Sequence, residues 1–281
     1  MRMATADGTA DGSPCPVGSA NLGIAVCLAG FVRTLGNPYV YKSLAKHFHE
    51  HGTRADFFGV VSSSGDDTAK GQWADVSSEE LAPALSALHP VAWEDSVDKR
   101  GPRCGLLCMR QFDRLSRCGE MIQARELRCG AQYTWVVKAR PDITISGANN
   151  GLNLDSGVVY KDRRAGDVVN YIPRRLFGNV SHALAHTPCD EVRRLGVDCT
   201  HAQAASGGGN CKCNVWLSVA VARLLGLRLA YHRYSVQVVR TRQASDVIDR
   251  ARRRYGGDGM RALHNKSRAT SDLRHLESAV R

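Results

Sequence analysis

The sequence predicts an α/β fold, a mostly parallel central sheet flanked by helices. Three short apolar runs carry that reading: Ile24–Ala29, Asp56–Ser62 and Tyr133–Lys138. Runs of this length with little polar alternation suit strands buried on both faces of a parallel sheet. Segments with helical spacing separate them, so strand and helix alternate along the chain. Right-handed crossovers then make the three strands neighbours in one sheet.

Each element has a local reason. Gly30 closes the first apolar run, and Pro38 suits the start of a helix whose apolar positions are Tyr41, Leu44, Ala45 and Phe48. Gly52 falls where a helix C-cap is expected. The second strand follows, then a polar, Gly-rich loop over Ser63–Gly71. Ser77 reads as the N-cap of a helix reaching Leu88, and Pro90–Trp93 as a third strand. From Leu107 to Arg128, the residues Cys108, Phe112, Leu115, Gly119 and Ile122 form one helical stripe. Tyr133–Lys138 is the most β-prone run of the chain.

Further on, Val158–Lys161 reads as a strand and Val180–His186 as a short helix. Cys189–Asn210, with Ser206 and three following glycines, reads as a loop. Val215–Leu225 is apolar nearly all round, so it predicts a buried helix ended by Gly226. Leu227–Val239 alternates in part and predicts a late strand. A basic helix is expected over Ser245–Tyr255. The expected organisation is a disordered leader over 1–20, one domain over 21–240 and a basic helical extension over 241–281.

Within 281 residues nothing approaches the roughly 18 consecutive apolar residues of a membrane span. The N-terminal segment also lacks the apolar stretch of a signal peptide. A formal net charge of +11 favours acidic partners such as nucleotide diphosphates. Much of that charge, at Arg193-Arg194, Arg250 and Arg252–Arg254, reads as solvated helix surface. No zinc-finger spacing, RNP-like aromatic run or helix-turn-helix pattern accompanies it, so nucleic acid is not expected as a partner. Ten cysteines and the sequons at Asn179 and Asn265 suit an oxidising secretory lumen. A Golgi location would need an anchor preceding this sequence, and a cytoplasmic one is the alternative.

Ligands of open α/β sheets bind beyond the carboxyl ends of the strands. Two segments belong there. Gly30-Phe31-Val32-Arg33-Thr34 follows the first strand. Gly30 permits close backbone approach, Arg33 offers a forked donor for phosphate oxygens, and Thr34 adds a hydroxyl. Lys138-Ala139-Arg140-Pro141-Asp142 ends the fourth strand, where Pro141 halts the ladder. Arg140 and Asp142 then project from the sheet edge, where a carboxylate could hold Mn2+ or Mg2+ against a diphosphate. The plain structural alternative is a surface Arg–Asp pair closing a turn.

Four blocks in order resemble a family of GT-A-type glycosyltransferases. They are Ala29–Thr34, Ala55-Asp56-Phe57-Phe58, Arg110-Gln111-Phe112 and the block from Tyr133 to Asp142. The resemblance covers about Ile24 to Ile145. It implies a GT-A-like, Rossmann-like fold and a nucleotide-sugar donor, with an unknown glycan, protein or lipid acceptor. It also implies a metal or diphosphate role for Asp142. Arg140 would pair phosphate or orient Asp142, and Gly30, Arg33 and Thr34 would line the nucleotide. Relatives often carry a carboxylate before the late helix, where this chain has Asn214. Asn214 cannot abstract a proton as a carboxylate can. A binding module that keeps the scaffold without turnover is therefore the alternative to a transferase.

Other chemistries fit less well. Cys189, Cys199, His201, Cys211 and Cys213 lack the paired Cys-x2-Cys hooks of common zinc sites. Gly207–Gly209 lacks the Lys-Ser/Thr of a phosphate loop. A sulfotransferase would need more Ser, Thr and Lys after its first strand than Gly30–Thr34 provides. His47, His49 and His51 decorate a helix end and are assigned no catalytic role.

Overall fold

A computed structural model describes residues 14–16, 21–49, 54–64, 75–95, 104, 109–146, 154–162, 168–197, 213–232 and 234–239. The first half comprises β1 (Asn21–Phe31), α1 (Pro38–His49), β2 (Ala55–Ser62), α2 (Ser78–Leu88), β3 (Ala92–Asp95), α3 (Met109–Cys129) and β4 (Gln132–Ala139). Then come β5 (Ile143–Ser146), β6 (Val158–Lys161), β7 (Val169–Pro173), α4 (Arg174–His186) and α5 (Cys189–Arg194). Last are α6 (Cys213–Val219) with a π-helical turn at Ala220–Leu224, β8 (Arg228–Tyr231) and β9 (Ser235–Val238).

Seven strands form a Rossmann-like sheet in the order β3-β2-β1-β4-β7-β6-β8. β3, β2, β1 and β4 are parallel neighbours, as the three apolar runs predict. β7 runs antiparallel to both β4 and β6, and β8 is parallel to β6. β5 and β9 make a separate antiparallel pair.

Both faces of the sheet are covered. Cys27, Phe58, Val136, Val159 and Ile172 pack with Phe112, Leu115 and Ile122 of α3 and Trp216 of α6. Val26, Leu28, Phe57, Val137 and Tyr171 pack with Val40, Leu44 and Phe48 of α1 and Ile143 of β5. This double burial is why β1, β2 and β4 read as continuous apolar runs. Ser77 caps α2 as expected: its hydroxyl accepts from Glu80 N, and Glu80 reaches back to Ser77 N.

Several expectations need correction. The helix expected from Val180 begins at Arg174, directly after Pro173. The loop expected from Cys189 opens with α5, where Arg193–Asp190 and Arg194–Glu191 pairs bridge successive turns. The helix near Val215 is not buried all round, because Ala222 and Arg223 are exposed. It does end at Gly226, which adopts φ +63. The single late strand is two, β8 and β9, in different sheets. Between them His232 N donates to Lys161 O, the last bond of the β6–β8 ladder. β5 and β7 were not foreseen.

Cys15 is bonded to Cys129, Cys27 to Cys118 and Cys104 to Cys189. The first ties Pro14–Pro16 to the end of α3, where Arg125 Nη2 also donates to Pro14 O. The third removes Cys189 from any zinc set. Gly52, Asn265, most of the loop after Cys189 and the expected helix over Ser245–Tyr255 lie outside the described residues. Among the described residues no helix is long and apolar enough to cross a membrane.

Candidate functional site

The carboxyl ends of β1 and β4 lie side by side, and the two loops leaving them meet. Gly30 adopts φ +141, and a Cβ there would sit 3.4 Å from Pro141 Cδ. Glycine thus serves both the backbone angle and the close approach of the loops. The chain after β9 ties the loops together. Thr34 Oγ1 donates to Val239 O at 3.3 Å, and Val239 N donates to Asp142 O at 2.7 Å. Thr34 is thereby buried, and its hydroxyl is engaged in this tie. The first loop runs directly into α1, capped by Asn37, whose Oδ1 accepts from Tyr39 N.

Arg33, Arg140 and Asp142 converge on one point. Arg140 Nε and Nη2 donate to Asp142 Oδ1 and Oδ2 at 2.8 and 2.6 Å, a bidentate fork. Arg33 Nε lies 3.2 Å from Oδ2. The Asp142 side chain is 1% exposed, whereas the Arg33 and Arg140 side chains are 22% and 19% exposed. The carboxylate is therefore the inner anchor, and the guanidinium edges face outward. Two guanidinium groups thus share one carboxylate at the sheet edge, with Arg33 also over the Phe31 ring.

This arrangement bears on the metal role that the sequence suggests for Asp142. Both of its oxygens are taken by guanidinium groups, and among the described residues no three His, Cys, Asp or Glu gather to hold a metal. A hard divalent cation would need several oxygen ligands and would have to displace two cations first. The donor set does not fit Mn2+ or Mg2+.

Asn214 lies elsewhere. It is on α6, in the layer packed against the α3 side of the sheet, and its carbonyl accepts from Ser218 Oγ. Asp142, by contrast, is tied to the β5–β9 pair. The structure brings together Gly30, Arg33, Thr34, Arg140 and Asp142 and leaves Asn214 in another layer.

Sequence reasoning missed other polar groups at this end of the sheet. Lys138, Asn170, Lys161, Asp162 and His232 are all buried there. A lysine inside the apolar run Tyr133–Lys138 was the one signal available. His47, at the helix end as expected, is buried, with Nε2 2.8 Å from Tyr171 Oη.

His232 packs on the rings of Tyr171 and Tyr234, and among the described residues neither ring nitrogen has a partner at good hydrogen-bond geometry, although the backbone of Val169 and Tyr234 lies close. Burial pushes its pKa below 6.5, against the opposing pull of Asp162. The unfolded chain therefore takes up this proton first, and stability falls as pH drops below about 6.5. His49 is lowered in the same direction by burial. His232→Phe should flatten part of the acid loss seen in urea unfolding at about pH 5 and 7, leaving the share of His49. An unchanged slope would place His232 outside this effect.

No protein-family model matches the chain, and a search of the curated proteins gives no match.

Proposed function

We propose that the chain is a GT-A-type glycosyltransferase whose nucleotide-sugar donor lies across Gly30–Thr34 and Arg140–Asp142. The observation that carries the reading is the convergence of Arg33 and Arg140 on buried Asp142 beyond the carboxyl ends of β1 and β4. That crevice is where open α/β sheets bind nucleotides. Fixed guanidinium groups there would bind a diphosphate and offset charge on it as it leaves the sugar. Asp142 acts as a positioning residue that holds the two arginines.

A panel of nucleotide sugars, read by thermal shift with and without Mn2+, tests the reading. One nucleotide class should raise the melting temperature equally in both conditions. Arg33→Ala should then weaken that nucleotide by about 1.5–3 kcal/mol in calorimetry. Silence across the panel, or an unchanged dissociation constant in Arg33→Ala, would overturn the assignment.

The second reading is a nucleotide-sugar or carbohydrate-binding module on the same scaffold. Its support comes from the sequence, where Asn214, which cannot act as a base, stands in place of a carboxylate that the resembled relatives often carry. In the structure Asn214 lies in another layer from the arginine pair. Donor binding without transfer or donor hydrolysis would select this reading.

A further inference from the structure

α4 buries one side against the core through Phe177, Val180, Ala183 and Leu184. On its exposed side His182 and His186 stand four residues apart, so the helix sets them one turn apart on one face. Their rings lie 4.9 Å apart, centre to centre, at an angle of 40°. Both histidines line a cavity of about 350 Å³, bounded across from them by Pro188 and Glu191 around α5 and by Leu224 and Leu225 beyond α6.

The walls of this cavity are held from several sides. Thr187 Oγ1 donates to Ala183 O at 2.6 Å and closes the end of α4. Trp216 Nε1 donates to Leu184 O at 3.2 Å, and the Cys104–Cys189 bridge pins the start of α5. Glu191 is paired with Arg194. Ser116 Oγ of α3 stands 3.3 Å from His186 Nε2. A hydroxyl there orients the imidazole and leaves Nδ1 to a ligand, as the outer partners of metal-bound histidines do.

Imidazole nitrogens suit borderline divalent ions, and two histidines four apart on one helix face are a recurrent zinc-binding arrangement. Tetrahedral Zn–N bonds of about 2.0–2.1 Å set two ligating nitrogens about 3.3 Å apart. Rings centred 4.9 Å apart reach that separation when the exposed His182 ring turns about its broad χ2. Among the described residues no third His, Cys, Asp or Glu joins the pair. The protein therefore supplies two ligands, and the ion keeps its other positions open to the cavity. Nitrogen donors rank Zn2+ and Cu2+ well above Mn2+ and Mg2+.

We propose that His182 and His186 chelate a divalent transition ion of the Zn2+ or Cu2+ type on the wall of this cavity, leaving positions open for water or a small ligand. The site lies on α4, away from the arginine pair beyond β1 and β4, and does not depend on the glycosyltransferase reading.

The test titrates Zn2+ alone into the full, disulfide-bonded chain by calorimetry. Binding should be saturable. His182→Ala and His186→Ala should each weaken it by about tenfold or more, and Ser116→Ala by about tenfold, the usual cost of losing an outer partner. A second readout uses the wild-type chain, so it does not depend on the variants folding. Zn2+ should protect His182 and His186 from carbethoxylation by diethyl pyrocarbonate, read residue by residue by mass spectrometry. No saturable Zn2+ binding overturns the site. Binding that survives both alanine substitutions at full strength comes from elsewhere in the chain and overturns it too. If an alanine variant fails to fold, the protection experiment decides: equal modification of both histidines with and without Zn2+ overturns the proposal.

Discussion

Replacing Asp142 with Asn is expected to destabilise the protein by about 3 kcal/mol, at the low end of the cost of breaking a buried ion pair. The carboxylate is 1% exposed and is gripped by both forks of Arg140 and by Arg33. Asn keeps the shape but has one acceptor oxygen, so at least one guanidinium N–H meets an amide N–H2 instead. Solvent at the outer edges of the arginines screens part of the loss, which is why the lower end of the range applies. A surface Arg–Asp pair closing a turn would lose about 0–1 kcal/mol, so urea unfolding separates the two cases. The same variant tests ligand binding. With its inner anion gone, the arginine pair has more to gain from an outer one, so pyrophosphate should stabilise Asp142→Asn more than wild type. Mn2+ should change neither protein's nucleotide affinity. A variant as stable as wild type that loses a Mn2+-dependent gain in affinity would restore the metal role.

The parallel half of the sheet was legible because its strands are buried on both faces. In β1, β2 and β4 each residue type states its environment directly. The antiparallel half was not. β7 carries Asn170 and ends in Pro173, which disguises a strand otherwise buried throughout. β5 has four residues and depends on β9 for its pairing. The meeting of Gly30–Thr34 with Arg140–Asp142 followed from strand direction alone. The burial of Asp142 did not, because Val239, far along the chain, covers that loop and binds it. The alignment of Lys138, Asn170 and Lys161 across β4, β7 and β6 also escaped the sequence. Register decides which residues of β4, β7 and β6 share a face, and no local pattern encodes that pairing.

Asp56 shows why a motif block need not mark chemistry, and its removal carries the other large expected effect. Asp56 stands near the start of β2 opposite Ala25, at the end of the sheet away from the arginine pair. Its Oδ2 accepts from Tyr133 Oη at 2.7 Å and lies 3.6 Å from Arg125 Nε. The Arg125 side chain is 1% exposed, beside the Cys15–Cys129 bridge that docks Pro14. Two of the blocks that suggested a glycosyltransferase, at Asp56 and at Tyr133, thus meet in one buried network. Burial first, and then the bond to Asp56, pushes the Tyr133 phenol far above its usual pKa of 10.0, so it stays a donor. Asp56→Ala removes the acceptor for Tyr133 and the carboxylate facing a buried guanidinium. The expected cost is about 3–5 kcal/mol. Tyr133→Phe removes one hydrogen bond and leaves the ion pair, so it should cost about 1 kcal/mol. Adding Arg125→Met to Asp56→Ala should recover part of the loss, because the stranded charge goes with it. Nucleotide affinity of the folded fraction should stay at the wild-type value in all three variants. If Asp56→Ala unfolds at the wild-type urea midpoint, the network does not hold the fold. If it folds normally but binds nucleotide tenfold more weakly, the block acts on the ligand site after all. The contrast with Asp142 is the physical point: one carboxylate anchors cations that face a ligand, and the other anchors a cation that faces only protein.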